Sequence, residues 1–208
     1  MEKAIDTADA RVSDEDIRKL ENLVALMPES ANAHYNLGLA LAHRGEWNRS
    51  LGEFREALKL KPGLLEARIN LAGILLQKGD YDGCIEESLK ALEFRPDLLE
   101  GCINIGIAFS HKGMLEQAAK SFQKALEIQP DSLIAHLNLG NVFLAMGEID
   151  KSIVHNQRAV ELDPGSGLAH NNLAVAFFHK KDMDKARLHA HEAMTLGYPV
   201  HPDFLKGL

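Results

Sequence analysis

Apolar residues recur along the chain in paired blocks at helical spacing. Leu37 and Leu41 form one block, and Leu51, Phe54 and Leu58 form the next after a short break. Residues three, four and seven apart share one face of an α-helix, so each pair of blocks predicts two amphipathic helices joined as a hairpin. The breaks are as regular as the blocks. Pro28, Pro62, Pro96, Pro130 and Pro164 stand 34 residues apart, and the same step links Gly45, Gly79, Gly113 and Gly147 and also Ala57, Ala91, Ala125, Ala159 and Ala193. A fixed period of this length marks a stack of repeated helical units. The glycine falls where the first helix of each hairpin must stop, because glycine reaches the left-handed cap conformation without steric cost. The proline ends the second helix, since it lacks an N–H and biases the residue before it away from helical angles.

The residues that keep the period resemble the tetratricopeptide repeat (TPR) pattern. The first full unit carries Leu37-Gly38, Leu41, Gly45, Trp47, Phe54, Ala57 and Pro62; the third carries Ile105-Gly106, Phe109, Gly113, Ala118, Phe122, Ala125 and Pro130. The resemblance implies an all-α fold, a right-handed superhelical solenoid of TPR hairpins. Five repeats are expected at residues 31–64, 65–98, 99–132, 133–166 and 167–200. Residues 1–30 precede them as an N-terminal arm and a half-repeat helix running from Ser13 to Met27, and residues 201–208 follow as a C-terminal tail. Several positions depart from the family pattern. His34, Arg68, Cys102, His136 and His170 replace its usual tryptophan, and Ser88, Asn156 and Ala190 replace the second-helix aromatic, so looser packing is expected there. In the last repeat Lys181 stands for the glycine and Tyr198 for the proline, as suits a terminal unit. Phe204 and Leu205 are candidates to cover its apolar face.

Stacked hairpins of this kind leave a concave surface lined by the first helix of each repeat. Its sixth position is asparagine every time, at Asn36, Asn70, Asn104, Asn138 and Asn172. An amide offers an acceptor and two donors, so such a ladder can pair with the main chain of a bound peptide without reading its side chains. It resembles the asparagine ladder in the TPR array of the enzyme that attaches N-acetylglucosamine to serine and threonine. The competing reading is that the amides bridge or cap neighbouring helices. Tyr35, Leu39, Ile69, Ile103, Ile107, Leu137, Val175 and Phe178 surround the ladder, with Asn141 at a ninth position. They suit a partner with apolar side chains, or they half-bury against their own hairpins. Glu66 and Glu100 add negative charge that either meets a basic ligand residue or stays solvated. The lysines and arginine of the family's carboxylate clamp are absent, because asparagine holds the sixth position throughout and Tyr35, Ile69, Ile103, Leu137 and Asn171 hold the fifth. Chaperone-tail binding in that mode is not expected.

Charge and composition narrow the partner further. Lys and Arg number 23 against 30 Asp and Glu, a formal charge of -7, with no basic stripe. That argues against nucleic acid, whose phosphates demand a basic face. No run approaches the ~18 apolar residues of a membrane-spanning helix, and Met1 to Asp16 has no apolar core of a signal peptide. A cytoplasmic protein without membrane insertion is expected. Cys84 and Cys102 match no metal spacing and read as buried packing residues.

Ten histidines raise the question of metal or catalysis. His34, His136 and His170 fall on different rungs, as do His43, His111 and His179, too far apart to share zinc bonds of ~2.0–2.1 Å. His189 and His191 lie two apart and point to different sides of a helix. No nucleophile, base and orienting acid assemble from the spacing, and no glycine-rich phosphate loop follows a strand. No cofactor, metal or catalytic site is expected. A thirteenth-position histidine near Glu66 or Glu100 is a candidate for tuning binding between about pH 5 and 7. The expected function is a non-catalytic adaptor holding an extended or helical partner segment in its groove. The alternative is a homo-oligomeric scaffold, in which a stack end docks on another chain or the arm Met1 to Val12 enters a neighbour's groove.

Overall fold

A computed structural model describes residues 12–207, so all of the arm except Val12 lies outside the described residues. Among the described residues the chain folds entirely as helices and their connections, in two compact units that divide between Phe94 and Arg95. In the first unit α1 (Asp14–Leu26) packs on α2 (Ala31–His43), which pairs with α3 (Trp47–Leu60). α3 then meets α4 (Leu65–Gln77), which pairs with α5 (Tyr81–Phe94). In the second unit α6 (Leu99–His111), α7 (Leu115–Ile128), α8 (Leu133–Ala145), α9 (Ile149–Leu162), α10 (Gly167–His179) and α11 (Met183–Thr195) each pack on the next. The short α12 (Pro202–Gly207) closes the described chain. This is the helix-hairpin repeat architecture of a TPR solenoid, with the first helices of consecutive hairpins also in contact within each unit.

Local chemistry explains where the helices begin and end. Ser30, Ser132 and Ser166 cap α2, α8 and α10, each hydroxyl accepting from a backbone N–H three residues on at 3.3–3.4 Å, which satisfies a donor the helix leaves open. α1 starts on a reciprocal pair in which the Ser13 hydroxyl accepts from the Asp16 N–H while Asp16 accepts from the Ser13 N–H, both at 3.1 Å. The glycine stops do what their spacing demands. Gly45, Gly79, Gly113 and Gly147 lie at φ between 72° and 79°, and Lys181 takes φ 64° at the equivalent place in the last hairpin, a strained conformation for a residue with a Cβ.

The core of each unit lies between the helices. Ile17, Leu37, Ala40 and Leu41 join α1 to α2. Phe122, Leu139, Val142 and Phe143 with Ala118 and Ala119 tie α7 to α8, and Ile153, Leu173, Ala176, Phe177 and Ala186 join α9, α10 and α11. Inside a hairpin the close approach is between a glycine and an aromatic. A Cβ on Gly106 would stand 2.6 Å from the Phe122 ring, and one on Gly38 would stand 2.9 Å from Phe54. Where the aromatic is missing, the hairpins still close: Ser88 and Asn156 are fully buried and Ala190 nearly so. The Asn156 amide donates to the Ser152 carbonyl at 3.0 Å, leaving its own oxygen buried without a partner.

Candidate functional site

The asparagines of the first helices do not share one environment. In the first unit Asn36 is exposed and Asn70 half-buried, and neither amide hydrogen-bonds any described residue. Both present unspent donors and acceptors beside half-buried Tyr35, Leu39 and Ile69. Tyr35 is held by Phe54, its ring centroid 5.9 Å away. In the second unit Asn104 and Asn138 are half-buried, and Asn138 Nδ2 donates to the Ile134 carbonyl one turn back at 2.8 Å. That bond runs within α8, so it bridges no neighbouring helix. Asn172 is 7% exposed, and its amide nitrogen is buried with no partner.

Ile103, Ile107 and Leu137 are half-buried in the second unit, with Ile107 packed against the Phe122 cluster, while Asn141 is exposed. Glu66 and Glu100 are exposed in the first turns of α4 and α6, where a carboxylate also complements the helix dipole. The same second position carries two residues that the sequence reading passed over. Ile134 is 54% exposed and Leu168 38%, so this face of the second unit is more apolar than the two glutamates suggested. Their register with Glu66 and Glu100 was the available signal.

Four of the five fourth-position residues, where looser packing was expected, instead hydrogen-bond within their hairpins, while Cys102 is buried in the third. His34 joins Glu53 through Nδ1 at 2.7 Å and donates from Nε2 to the Pro28 carbonyl at 3.0 Å. Arg68 repeats the arrangement with Glu87 at 2.5 Å and the Pro62 carbonyl at 2.8 Å. His136 repeats it with His155 Nδ1 at 3.0 Å and the Pro130 carbonyl at 2.9 Å, and His170 pairs with His189 Nδ1 at 3.1 Å. Each partner stands 19 residues downstream, a spacing readable in the sequence once the slot is known. His155 stacks on Phe143 and His189 on Phe177, at ring separations of 5.5 and 5.6 Å. Burial, and then the neighbouring His136, push the His155 pKa down to about 4. Burial and His170 also lower that of His189. At His34 burial pulls downward, but the Glu53 and Pro28 hydrogen bonds outweigh it and the net shift is upward.

The other candidate chemistry is plain. His43, His111, His179 and His191 are exposed. Among the described residues no group of three or more His, Cys, Asp and Glu is placed to hold a metal ion. Cys84 and Cys102 are buried and form no disulfide, and burial raises the Cys84 pKa to about 11, the opposite of an activated nucleophile. A cleft of about 440 Å³ in the first unit is lined by Leu58, Leu71 and Leu75 with Arg55, Arg68 and Glu87. The Arg68–Glu87 pair is one of its walls. Among the described residues no helix is long and apolar enough to cross a membrane.

Family comparison agrees with this arrangement. The tetratricopeptide repeat models match residues 31–64, 65–98 and 134–166, and a further TPR repeat model matches 106–147. The chain belongs to the tetratricopeptide repeat family. No curated protein matches it. Among solved TPR-type structures, YrrB, described as a TPR protein with an unusual peptide-binding site, is 20% identical with a TM-score of 0.71, over 92% of this chain and 96% of that one. The 41-end form of MamA from Desulfovibrio magneticus RS-1 is 22% identical with a TM-score of 0.69, over 73% and 86%. PilF of Pseudomonas aeruginosa is 20% identical with a TM-score of 0.75, over 86% and 82%. These likenesses establish the fold. The chain is a TPR-type protein-interaction scaffold.

Proposed function

We propose that the chain is a non-catalytic scaffold whose first-helix faces take a segment of another protein chain, and that copies of the chain itself are among its partners. The observation that carries the peptide-binding part is the pair of unspent amides at Asn36 and Asn70 beside Tyr35, Leu39 and Ile69. Amides of that kind hold a main chain while the apolar side chains accept residues from it. In the second unit Asn104 and Asn138 stand in the same register beside Ile103, Ile107 and Leu137. The peptide-binding site in YrrB's description belongs to that protein and supports testing the same class of ligand here. Glu66 and Glu100 favour a basic residue in the bound segment.

Exposed apolar residues of the second unit, Leu168 and Leu196 among them, support the self-assembly part. The proposal places the scaffold in the cytoplasm, where reducing conditions suit its two buried thiols. A peptide-display selection tests the groove. The wild-type chain is the bait, and Asn36→Ala/Asn70→Ala and Asn104→Ala/Asn138→Ala are counter-screens matched for helicity. Enrichment of apolar-containing peptides that a counter-screen loses supports the groove; enrichment that both keep refutes the ladder's role. Mass measurement across a dilution series tests assembly, and a monomer at every concentration rejects it.

A further inference from the structure

The cleft of the first unit opens where two helices share a neighbour but leave a space between themselves. α3 and α5 each pack on α4, and the space of about 440 Å³ has Leu58, Leu71 and Leu75 as its apolar lining. The 34-residue register explains the opening. Between α1 and α3, Glu21 and Arg49 join in an ion pair, and Arg49 also holds Glu46 at 2.6 Å. One period on, the places of Glu21 and Arg49 are taken by Arg55 of α3 and Gly83 of α5. The charge is reversed at the first place, and the side chain is missing at the second. In the fourth and fifth hairpins that second place holds Lys151 and Lys185, which lie over the rings of Phe143 and Phe177 at 5.1 and 5.2 Å. Leu75 occupies the place of those phenylalanines, and Gly83 has no side chain to cover it.

The charges around the cleft differ in how far they are spent. On the α5 side Asp80 accepts from the Gly83 N–H at 3.0 Å, Glu86 pairs with Lys90 at 2.7 Å, and Glu87 holds both Lys90 and Arg68. On the α3 side Lys59 pairs with Glu56 at 2.6 Å. Arg55 is exposed and makes no hydrogen bond or ion pair with any described residue. Arg68, 8% exposed, donates to Glu87 and to the Pro62 carbonyl, but its Nε is buried without a partner. A buried donor without an acceptor is costly. The unspent groups of the cleft are thus donors on cations, and what they lack is an acceptor carrying negative charge.

We propose that the cleft is a second docking surface, which takes a partner-protein segment carrying an acidic side chain close to an apolar one of leucine size. The carboxylate pairs with Arg55, and the apolar side chain enters over Leu75 in the room that Gly83 leaves. The engaged acids of α5 repel the carboxylate and so keep it on the α3 side. Arg55 is exposed at the rim while the leucines are buried at the floor. One ligand must therefore offer a solvated acid and an inserted apolar group together, as neighbouring side chains of a peptide do. Asn36 and Asn70 do not line this cleft. The proposal rests on the protein-binding reading above and not on the asparagine ladder.

A peptide-display selection on the full chain, depleted against Gly83→Lys, tests this surface. The expected ligands carry Asp or Glu near Leu, Ile or Met. A selected peptide should bind at least about tenfold more weakly to Arg55→Glu and to Gly83→Lys, which fills the cleft with the residue of the later hairpins. Replacing the peptide's acid with lysine should restore binding to Arg55→Glu and not to wild type, an outcome that a misfolded variant cannot give. The Asn36→Ala/Asn70→Ala pair should leave this affinity unchanged. Ligands without an acid, equal binding to wild type and Arg55→Glu, or no rescue by the exchanged charges would overturn the proposal. Octanoate binding as tightly as the peptide would make this a site for small acids and overturn the docking of a segment. A selection in which nothing is lost on Gly83→Lys would also overturn it, and peptides that need the asparagines would then leave the groove reading standing.

Discussion

Replacing His155 with glutamate converts the slot occupied by a histidine pair in the second unit into the His–Glu pair that His34 and Glu53 form in the first. The Pro130 carbonyl can only accept, so neutral His136 keeps its proton on Nε2 and offers Nδ1 as acceptor to His155 Nδ1–H. Protonating both rings would set two N–H groups head to head at 3.0 Å, with Phe143 stacked on one side and Lys151 above that phenylalanine. Burial, and then the neighbouring His136, hold the His155 pKa at about 4 against 6.5 when free. Its folded pKa is depressed, so the unfolded chain takes the proton first as the pH falls. Stability is full above 6.5, declines between 6.5 and about 4, and the loss is complete below that. At about 1.4 kcal/mol per pH unit, the ceiling is about 3 kcal/mol, and His189 adds a loss of the same sign. His34 works the other way: its folded pKa is raised, so its contribution is present below 6.5 and lost as the pH rises through that raised value. Hydrogen exchange of α8 and α9 peptides from about pH 7 to pH 5, set beside urea unfolding, should show the second unit weakening more steeply in the parent than in His155→Glu, which keeps only the decline due to His189. Equal pH slopes in parent and variant, or an NMR titration of His155 near 6.5, would refute the reasoning.

Three further outcomes follow from single positions. Lys181→Gly should raise stability by about 1 kcal/mol, since φ 64° strains a lysine and not a glycine, and a melting curve reads it. Gly106→Ala should destabilise by about 1–3 kcal/mol, because its methyl would stand 2.6 Å from the Phe122 ring in a packed hairpin; urea unfolding checks it. The Asn36→Ala/Asn70→Ala pair should leave the melting temperature nearly unchanged, as neither amide bonds a described residue. It should weaken a selected peptide roughly 5- to 150-fold by titration calorimetry.

The helical hairpins and their stops were legible because a 34-residue period repeats the same geometric demand. Gly147 must be small and flexible where α8 ends, and Phe54 meets Gly38, as Phe122 meets Gly106, where those hairpins close. The looser packing expected at Asn156 did not follow, because backbone hydrogen bonding and hairpin closure bury a smaller residue as completely as an aromatic. The fourth-position slot was misread for a related reason. A histidine in place of tryptophan looks like lost packing along the chain, and only folding reveals a carbonyl from the preceding turn and a partner 19 residues on.

Sequence alone determined the elements, because secondary structure answers to short-range demands: periodicity, φ at a glycine, the missing N–H of a proline. It also placed the asparagines in one register. Tertiary structure decided what each asparagine does. Asn36 stays open to solvent, Asn138 turns back on its own helix and Asn172 is buried, although all three occupy the same repeat position. The contact of Phe204 with Phe178 was likewise settled by packing. Burial and hydrogen bonding depend on which distant residues arrive around a side chain, and identical positions in a period meet different neighbours in the fold.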